Sequence, residues 1–259
     1  MLSFEYIFSG ALVGFLIGMT GIGGGALMTP LLILLFGISP STAVGTDLFF
    51  ASITKLSSLF FFSQKKLINW NIVKLLSLGS LPISFLVLII LKENSQSQVE
   101  TSFFLTKIIG VVLIVSSFLY LIKFFSNKNI FYNMKGIFTS SYVKKSLTIF
   151  AGIIIGTIVT TTSIGAGVLG TVALIILYPN LSPVSLIATE IAHAVPLALL
   201  AGVGHASLGN VDVQILGNLL LGSLPAAYAG SQLGNIVPKN FLRVFLGIFL
   251  FLAGIKLIV

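Results

Sequence analysis

Residues Gly10 to Asp47 read GALVGFLIGMTGIGGGALMTPLLILLFGISPSTAVGTD, and residues Gly152 to Glu190 read GIIIGTIVTTTSIGAGVLGTVALIILYPNLSPVSLIATE. The second stretch repeats the first. Gly10, Gly14, Gly23 and Gly25 fall on Gly152, Gly156, Gly165 and Gly167 at one offset of 142 residues. After one inserted residue, Thr46-Asp47 matches Thr189-Glu190, and Gly79-Ser80-Leu81-Pro82 matches Gly222-Ser223-Leu224-Pro225. Two glycine-broken apolar segments, each followed by an acid inside an apolar run, point to duplicated halves of the kind that build membrane transporters.

Composition sets the solvent. The chain is 56% hydrophobic and 8% charged, where a soluble domain carries about 25% charged residues. A soluble protein of this length could not cover its surface with so few charges. Apolar runs long enough to span a bilayer, roughly 20 residues of helix, occur throughout, so the expected class is an all-α integral membrane protein. The net charge of +8 is not a nucleic-acid footprint, because the lysines sit between apolar runs and no basic helix interleaved with aromatics is present. The absence of cysteine excludes disulfides and thiolate chemistry. The opening MLSFEYIFSG has no positively charged n-region, so a cleaved signal peptide is not expected.

Eight hydrophobic segments follow one another: 4–36, 41–63, 71–91, 102–125, 146–178, 183–206, 211–233 and 239–258. The first would reach about 50 Å as one helix, far more than a bilayer needs. It is interrupted by Gly21-Ile22-Gly23-Gly24-Gly25, and the fifth by Thr160-Thr161-Thr162-Ser163-Ile164-Gly165-Ala166-Gly167. Both are expected to be discontinuous helices, whose open backbone is tolerated at membrane depth only inside protein or beside a water-filled cavity. The expected organisation is an N-terminal membrane repeat over 1–125, a basic cytoplasmic linker over 126–145 and a C-terminal repeat over 146–259. If segments 1 and 5 cross the membrane, nine Lys/Arg lie on the favoured side and four opposite; if they turn back, the tally is ten against three. The positive-inside rule therefore favours re-entrant segments and inverted repeats.

The candidate site follows from the breaks. Gly10, Gly14 and Gly18 recur four apart, a spacing for close helix packing. The consecutive glycines Gly23, Gly24 and Gly25 instead free backbone N–H groups and aim a half-helix N-terminus into the protein, as do Gly165 and Gly167. Two such ends carry partial positive charge and suit an anion. Thr20 and Ser163 add hydroxyl donors. No Lys-Ser/Thr follows the glycines, which weighs against a nucleotide loop. Asp47 and Glu190 occupy matching positions within apolar helices, where an acid is costly and points to function; capping roles after Pro40 or Pro183 fit poorly because both acids lie several residues in. Protonation of these two acids suits coupling to transport. Lys55, two turns after Asp47, is either an anion-binding cation or a side chain that snorkels to the surface beside Lys65 and Lys66. His193, three residues after Glu190, reads as a structural or proton-relay histidine; a di-iron pair or a zinc motif would need further ligands. No metal and no cofactor is expected. Pro82, Pro196 and Pro225 are candidate helix kinks.

The stretch GMTGIGGGALMTPLLILLFGISPSTAVGTDL, Gly18 to Leu48, its second copy TTTSIGAGVLGTVALIILYP, and ATEIAHAVPLALLAGVGHASLGNVD, Ala188 to Asp212, resemble the TauE/SafE family of sulfite and organosulfonate exporters, also called TSUP. The resemblance covers nearly the whole chain. Ala188 and Glu190 depart from the Gly-Thr-Asp of relatives, and Asp47 stands where many carry serine. The resemblance implies a multi-pass cell-membrane secondary transporter, in a bacterial plasma membrane, that exports small sulfur-containing or carboxylate anions, with the broken helices forming the site; the expected mechanism is alternating access around a midplane site. Thr20, Gly23 to Gly25, Lys55, Ser163, Gly165 and Gly167 would hold the anion, and Asp47, Glu190 and His193 would carry the coupling proton. The partners expected are a small anion, protons and lipid, with no nucleic acid. A passive anion channel and a membrane assembly protein are the alternatives. An intramembrane enzyme would need a nucleophile–base pair or metal cluster, which only Glu190–His193 approaches.

Overall fold

The structure, a computed structural model, describes residues 2–20, 25–93, 98–125, 140–233 and 239–259. Among these there are ten α-helices and no strand: α1 (Phe4–Thr20), α2 (Gly25–Leu34), α3 (Pro40–Gln64), α4 (Trp70–Glu93), α5 (Gln98–Phe125), α6 (Ser141–Thr162), α7 (Ala166–Leu177), α8 (Pro183–Ser207), α9 (Val213–Leu233) and α10 (Lys239–Ile258). The first and fifth apolar segments are each split in two, as the glycine and threonine runs predict. Helices α5 and α6 begin earlier than the apolar windows, because polar turns extend them past the hydrophobic stretch. Lys144 and Lys145 therefore stand on α6, and linker residues 126–139 lie outside the described part. Windows in α4, α5, α6 and α8 are long and apolar enough to cross a bilayer. Their outward side chains, among them Phe85, Ile90, Phe104 and Phe150, are exposed, as a lipid-facing surface requires.

Both broken segments turn back. The ring of Tyr6, in the first turn of α1, lies 4.6 Å from the ring of Phe36, just past α2. At the same 142-residue offset, the Thr148 hydroxyl near the start of α6 is 2.8 Å from the Tyr178 hydroxyl just past α7. The Lys144 ammonium sits 4.4 Å from the centre of that tyrosine ring. Each half-helix thus brings the chain back to where its full helix began. Three further helices then remain in each half among the described residues, an odd number.

Repeat-related helices accordingly run antiparallel. On α3 and α8, Gly45 approaches His205, Phe49 packs on Gly202 and Lys55 meets Glu190. On α5 and α10, Lys107 donates to the Ile258 carbonyl, Phe118 packs edge-on against Phe251, and Ser117 donates to the Gly247 carbonyl at 2.7 Å. In each pair, rising numbers on one helix meet falling numbers on the other. The halves are inverted.

Glycine explains how they interlock. Gly10 and Gly14 of α1 lie against Leu219 and Ser223 of α9, and Gly152 and Gly156 of α6 lie against Leu76 and Ser80 of α4. These contacts are the same contact in the two halves, residue for residue. At each place a Cβ would run into the neighbouring backbone, so glycine is what permits the helices to touch. The core fills the space between α2–α3 and α7–α8 with Met28, Leu32, Leu48, Phe50, Ile164 and Leu197, all fully buried.

Candidate functional site

Helices α3 and α8 cross at the centre and carry the ionisable groups inward. Ser39 accepts from the Thr42 amide at 3.4 Å, and Ser182 accepts from the Ser185 amide at 3.2 Å. Both helix starts are therefore capped by serine, which leaves no capping role for Asp47 or Glu190. Asp47 is 0% exposed and Glu190 1% exposed. The Thr29 hydroxyl on α2 donates to Asp47 Oδ2 at 2.5 Å, while Oδ1 has no partner among the described residues.

Glu190 is held differently. Its Oε1 lies 3.5 Å from the Lys55 ammonium, and its Oε2 has no partner among the described residues. Lys55 is 4% exposed, so it does not snorkel to the surface; the interior acid holds it. Thr171, the repeat counterpart of Thr29, turns its hydroxyl to the Gly167 carbonyl at 2.6 Å and leaves Glu190 alone. Gly170 lies against the Glu190 side chain, where a Cβ would come 3.0 Å from Cγ. His193 is buried and bonds through Nε2 to the Ser80 hydroxyl on α4 at 2.8 Å. It remains within electrostatic reach of Lys55, and its Nδ1 has no partner among the described residues.

The break between α6 and α7 completes the site. Ser163 has φ +59° and Gly165 φ +106°, the left-handed region that suits glycine and is uncommon for serine. The Ile164 amide donates to the Thr162 hydroxyl at 3.1 Å and closes the turn. Helix α7 starts at Gly165 without a side-chain cap, so its first amides have no side-chain acceptor. The Ser163 hydroxyl is buried, makes no hydrogen bond of normal geometry among the described residues, and lies within reach of the Asp47 carboxylate. A small cavity of about 10 Å³ has Ala26, Lys55, Ser163, Gly165, Gly167 and Ala198 among its lining residues, room for about one water.

The structure thus brings Lys55, Ser163, Gly165, Gly167 and Glu190 together and sets Asp47 beside them on Thr29. Gly25 starts α2; Gly23 and Gly24, and the side chain of Thr20, lie outside the described residues. Thr29 and Ser80 escaped the sequence reading. For Thr29 the signal was present, since it aligns with Thr171 at the repeat offset.

A family model described as sulfite exporter TauE/SafE matches residues 6–257. The chain belongs to the TauE/SafE family. This TauE/SafE chain is 38% identical over 257 residues to "Probable membrane transporter protein YjnA" of Bacillus subtilis (strain 168), covering 99% of this chain and 100% of the relative. It is 28% identical over 232 residues to "Probable membrane transporter protein YdhB" of the same organism, covering 90% of each. No solved structure matches it. With its repeated apolar helices, the TauE/SafE chain is a multi-pass membrane protein.

Proposed function

We propose that this protein is a secondary transporter of small anions, with sulfur-containing oxyanions as the substrate class and protons as the coupling ion. One observation carries the reading. Among the residues that line the central cavity are three sources of donors: Lys55, Ser163 and the start of α7, which has no side-chain cap. Such a set of donors, with the positive end of a half-helix among them, suits an anion. The family name and the names of the relatives support transport and sulfite as a member of the class.

A cavity with room for about one water is too small as it stands for a sulfur oxyanion. That suits a carrier that opens to one side at a time around a central site. The inverted halves supply the two sides, because each broken helix re-enters from its own face. Asp47 and Glu190, one on each half, and His193 beside Glu190 are the titratable groups available to the coupling proton.

Reconstituted protein in liposomes, supplied with sulfite, sulfoacetate and thiosulfate with and without a pH gradient, tests the reading. Saturable flux of at least one anion, altered by the gradient, is expected. Absence of flux for all three refutes it. Gradient-driven flux that persists in Asp47→Asn and Glu190→Gln refutes the coupling role of the acids.

A further inference from the structure

We propose that Glu190 is a tethered stand-in for the transported anion, and that the anion binds by displacing Glu190 from Lys55 while Glu190 takes up one proton. The inference rests on the anion-transport reading above and gives it a coupling rule.

Lys55 is a buried ammonium at the edge of the cavity, and the acid that meets it is Glu190. Their separation of 3.5 Å is well beyond the roughly 2.7–2.9 Å of a tight charge-assisted bond. The second carboxylate oxygen of Glu190 has no partner among the described residues. The pair is therefore loosely made, and its cation also faces a space lined by further donors. In the other half the arrangement is absent. Asp47 accepts from the Thr29 hydroxyl, and Lys55 has Ala198 as its repeat counterpart, which also lines the cavity. One cation serves one exchangeable carboxylate.

An anion that reaches Lys55 would leave two negative groups beside one positive group in a medium of low dielectric. An unpaired buried charge is strongly disfavoured, and a proton on Glu190 removes it. Two other acceptors stand within electrostatic reach of Lys55, and neither is ion-paired with it among the described residues. Asp47 on α3 has Thr29 on its Oδ2 and Ser163 nearby. His193 on α8 bonds Ser80 of α4 through Nε2, and its Nδ1 has no partner among the described residues. Helix α7 presents Gly170 and Thr171, and the α6–α7 break presents Ser163, none of which carries a charge. The exchange balances as follows: the Lys55 ammonium–Glu190 carboxylate pair, one anion and one proton from the open side give the Lys55 ammonium–anion pair and a neutral Glu190 carboxyl. Anion and proton load together and leave together. The protein is then an anion–proton symporter, and each turnover moves one negative charge fewer than the anion carries.

Proton uptake on anion binding tests this on the intact wild-type protein. Thiosulfate is the probe, because it does not itself titrate near neutrality and any proton taken up belongs to the protein. In weakly buffered detergent solution with an indicator dye, about one proton should be taken up per thiosulfate bound, and affinity should tighten as pH falls by up to about tenfold per pH unit, the limit for one linked proton. Proton release, or binding without proton exchange, overturns the proposal. Glu190→Gln should bind thiosulfate more tightly than wild type, because the competitor is gone, and its binding should no longer depend on pH. Lys55→Met should lose saturable binding. A Glu190→Gln variant that weakens binding as much as Lys55→Met also overturns the proposal, because the carboxylate would then be part of the binding set. Failure of the parent reading looks different: thiosulfate, sulfoacetate and sulfite would all fail to bind or move in wild type.

Discussion

Replacing Gly14 by alanine tests the helix interlock that positions the site. A Cβ at Gly14 would lie 2.6 Å from the Ser223 Cα and from the Ser223 carbonyl oxygen. Ordinary contact begins at 3.4 Å, so α1 and α9 would have to part by about 0.8 Å. The obstacle is backbone, which cannot swing aside as a flexible side chain does. Overpacking of this kind costs about 1–3 kcal/mol, while alanine returns roughly 1 kcal/mol in an exposed helix. The net loss is about 0–2 kcal/mol, a fall in Tm of at most roughly 8 °C for a chain of this size. Gly217, on the same helix α9, has nothing within 4 Å of its would-be Cβ. Gly217→Ala should therefore leave Tm unchanged or raise it. Thermal unfolding in detergent, followed by loss of the monodisperse peak in fluorescence-detected gel filtration, compares the two. A Gly14→Ala protein at least as stable as Gly217→Ala would refute the reasoning.

The repeat makes the matching forecast for Gly156→Ala, whose Cβ would lie 2.6 Å from the Ser80 carbonyl oxygen: its loss in Tm should be of the same size as that of Gly14→Ala in the same assay. Thr29→Val removes the donor to Asp47 Oδ2 and should cost about 1–3 kcal/mol by thermal unfolding. Thr171→Val, whose hydroxyl is satisfied within its own helix, should cost less. Topology is open to direct test, because the chain has no native cysteine. Single cysteines at Leu2 and Val259 should react with an impermeant maleimide from one side of the membrane and cysteines at Lys66 and Lys145 from the other; labelling of all four from the same side would refute the inverted arrangement.

The duplication, the membrane setting and the two breaks are written in the residues, because glycine runs and matched acids need no neighbours to be recognised. The return of the half-helices is less legible. An apolar stretch after a glycine break has the same periodicity whether it continues across the bilayer or doubles back, and charge bias separates the two cases by only one residue. Tyr6–Phe36 and Thr148–Tyr178 decide it, and each is a contact across about thirty residues that no local pattern announces. The fate of Lys55 was equally hidden. Its helix gives it a nearby surface as well as an interior face, and its partner Glu190 stands 135 residues away in the other half. Repeat symmetry could not predict that pair, because Ala198 stands where a second lysine would be needed. Thr29 is the opposite case: the alignment of the halves placed a threonine at both positions, and only the energetic reading of that match was missing.

Inverted halves have a consequence for how the chain is inserted during synthesis. Taken alone, each half is nearly indifferent to which way up it lies: Lys65, Lys66 and Lys74 stand against Lys92 and Lys107 in the first, and Lys239 and Arg243 against Lys256 in the second. The decisive cluster is the joint, with Lys123, Lys128, Lys135, Lys144 and Lys145. Because the joint ends one half and begins the other, anchoring it in the cytoplasm fixes both halves at once, in opposite senses. Orientation in this protein is a property of the seam, and the two membrane units it joins need carry little address of their own.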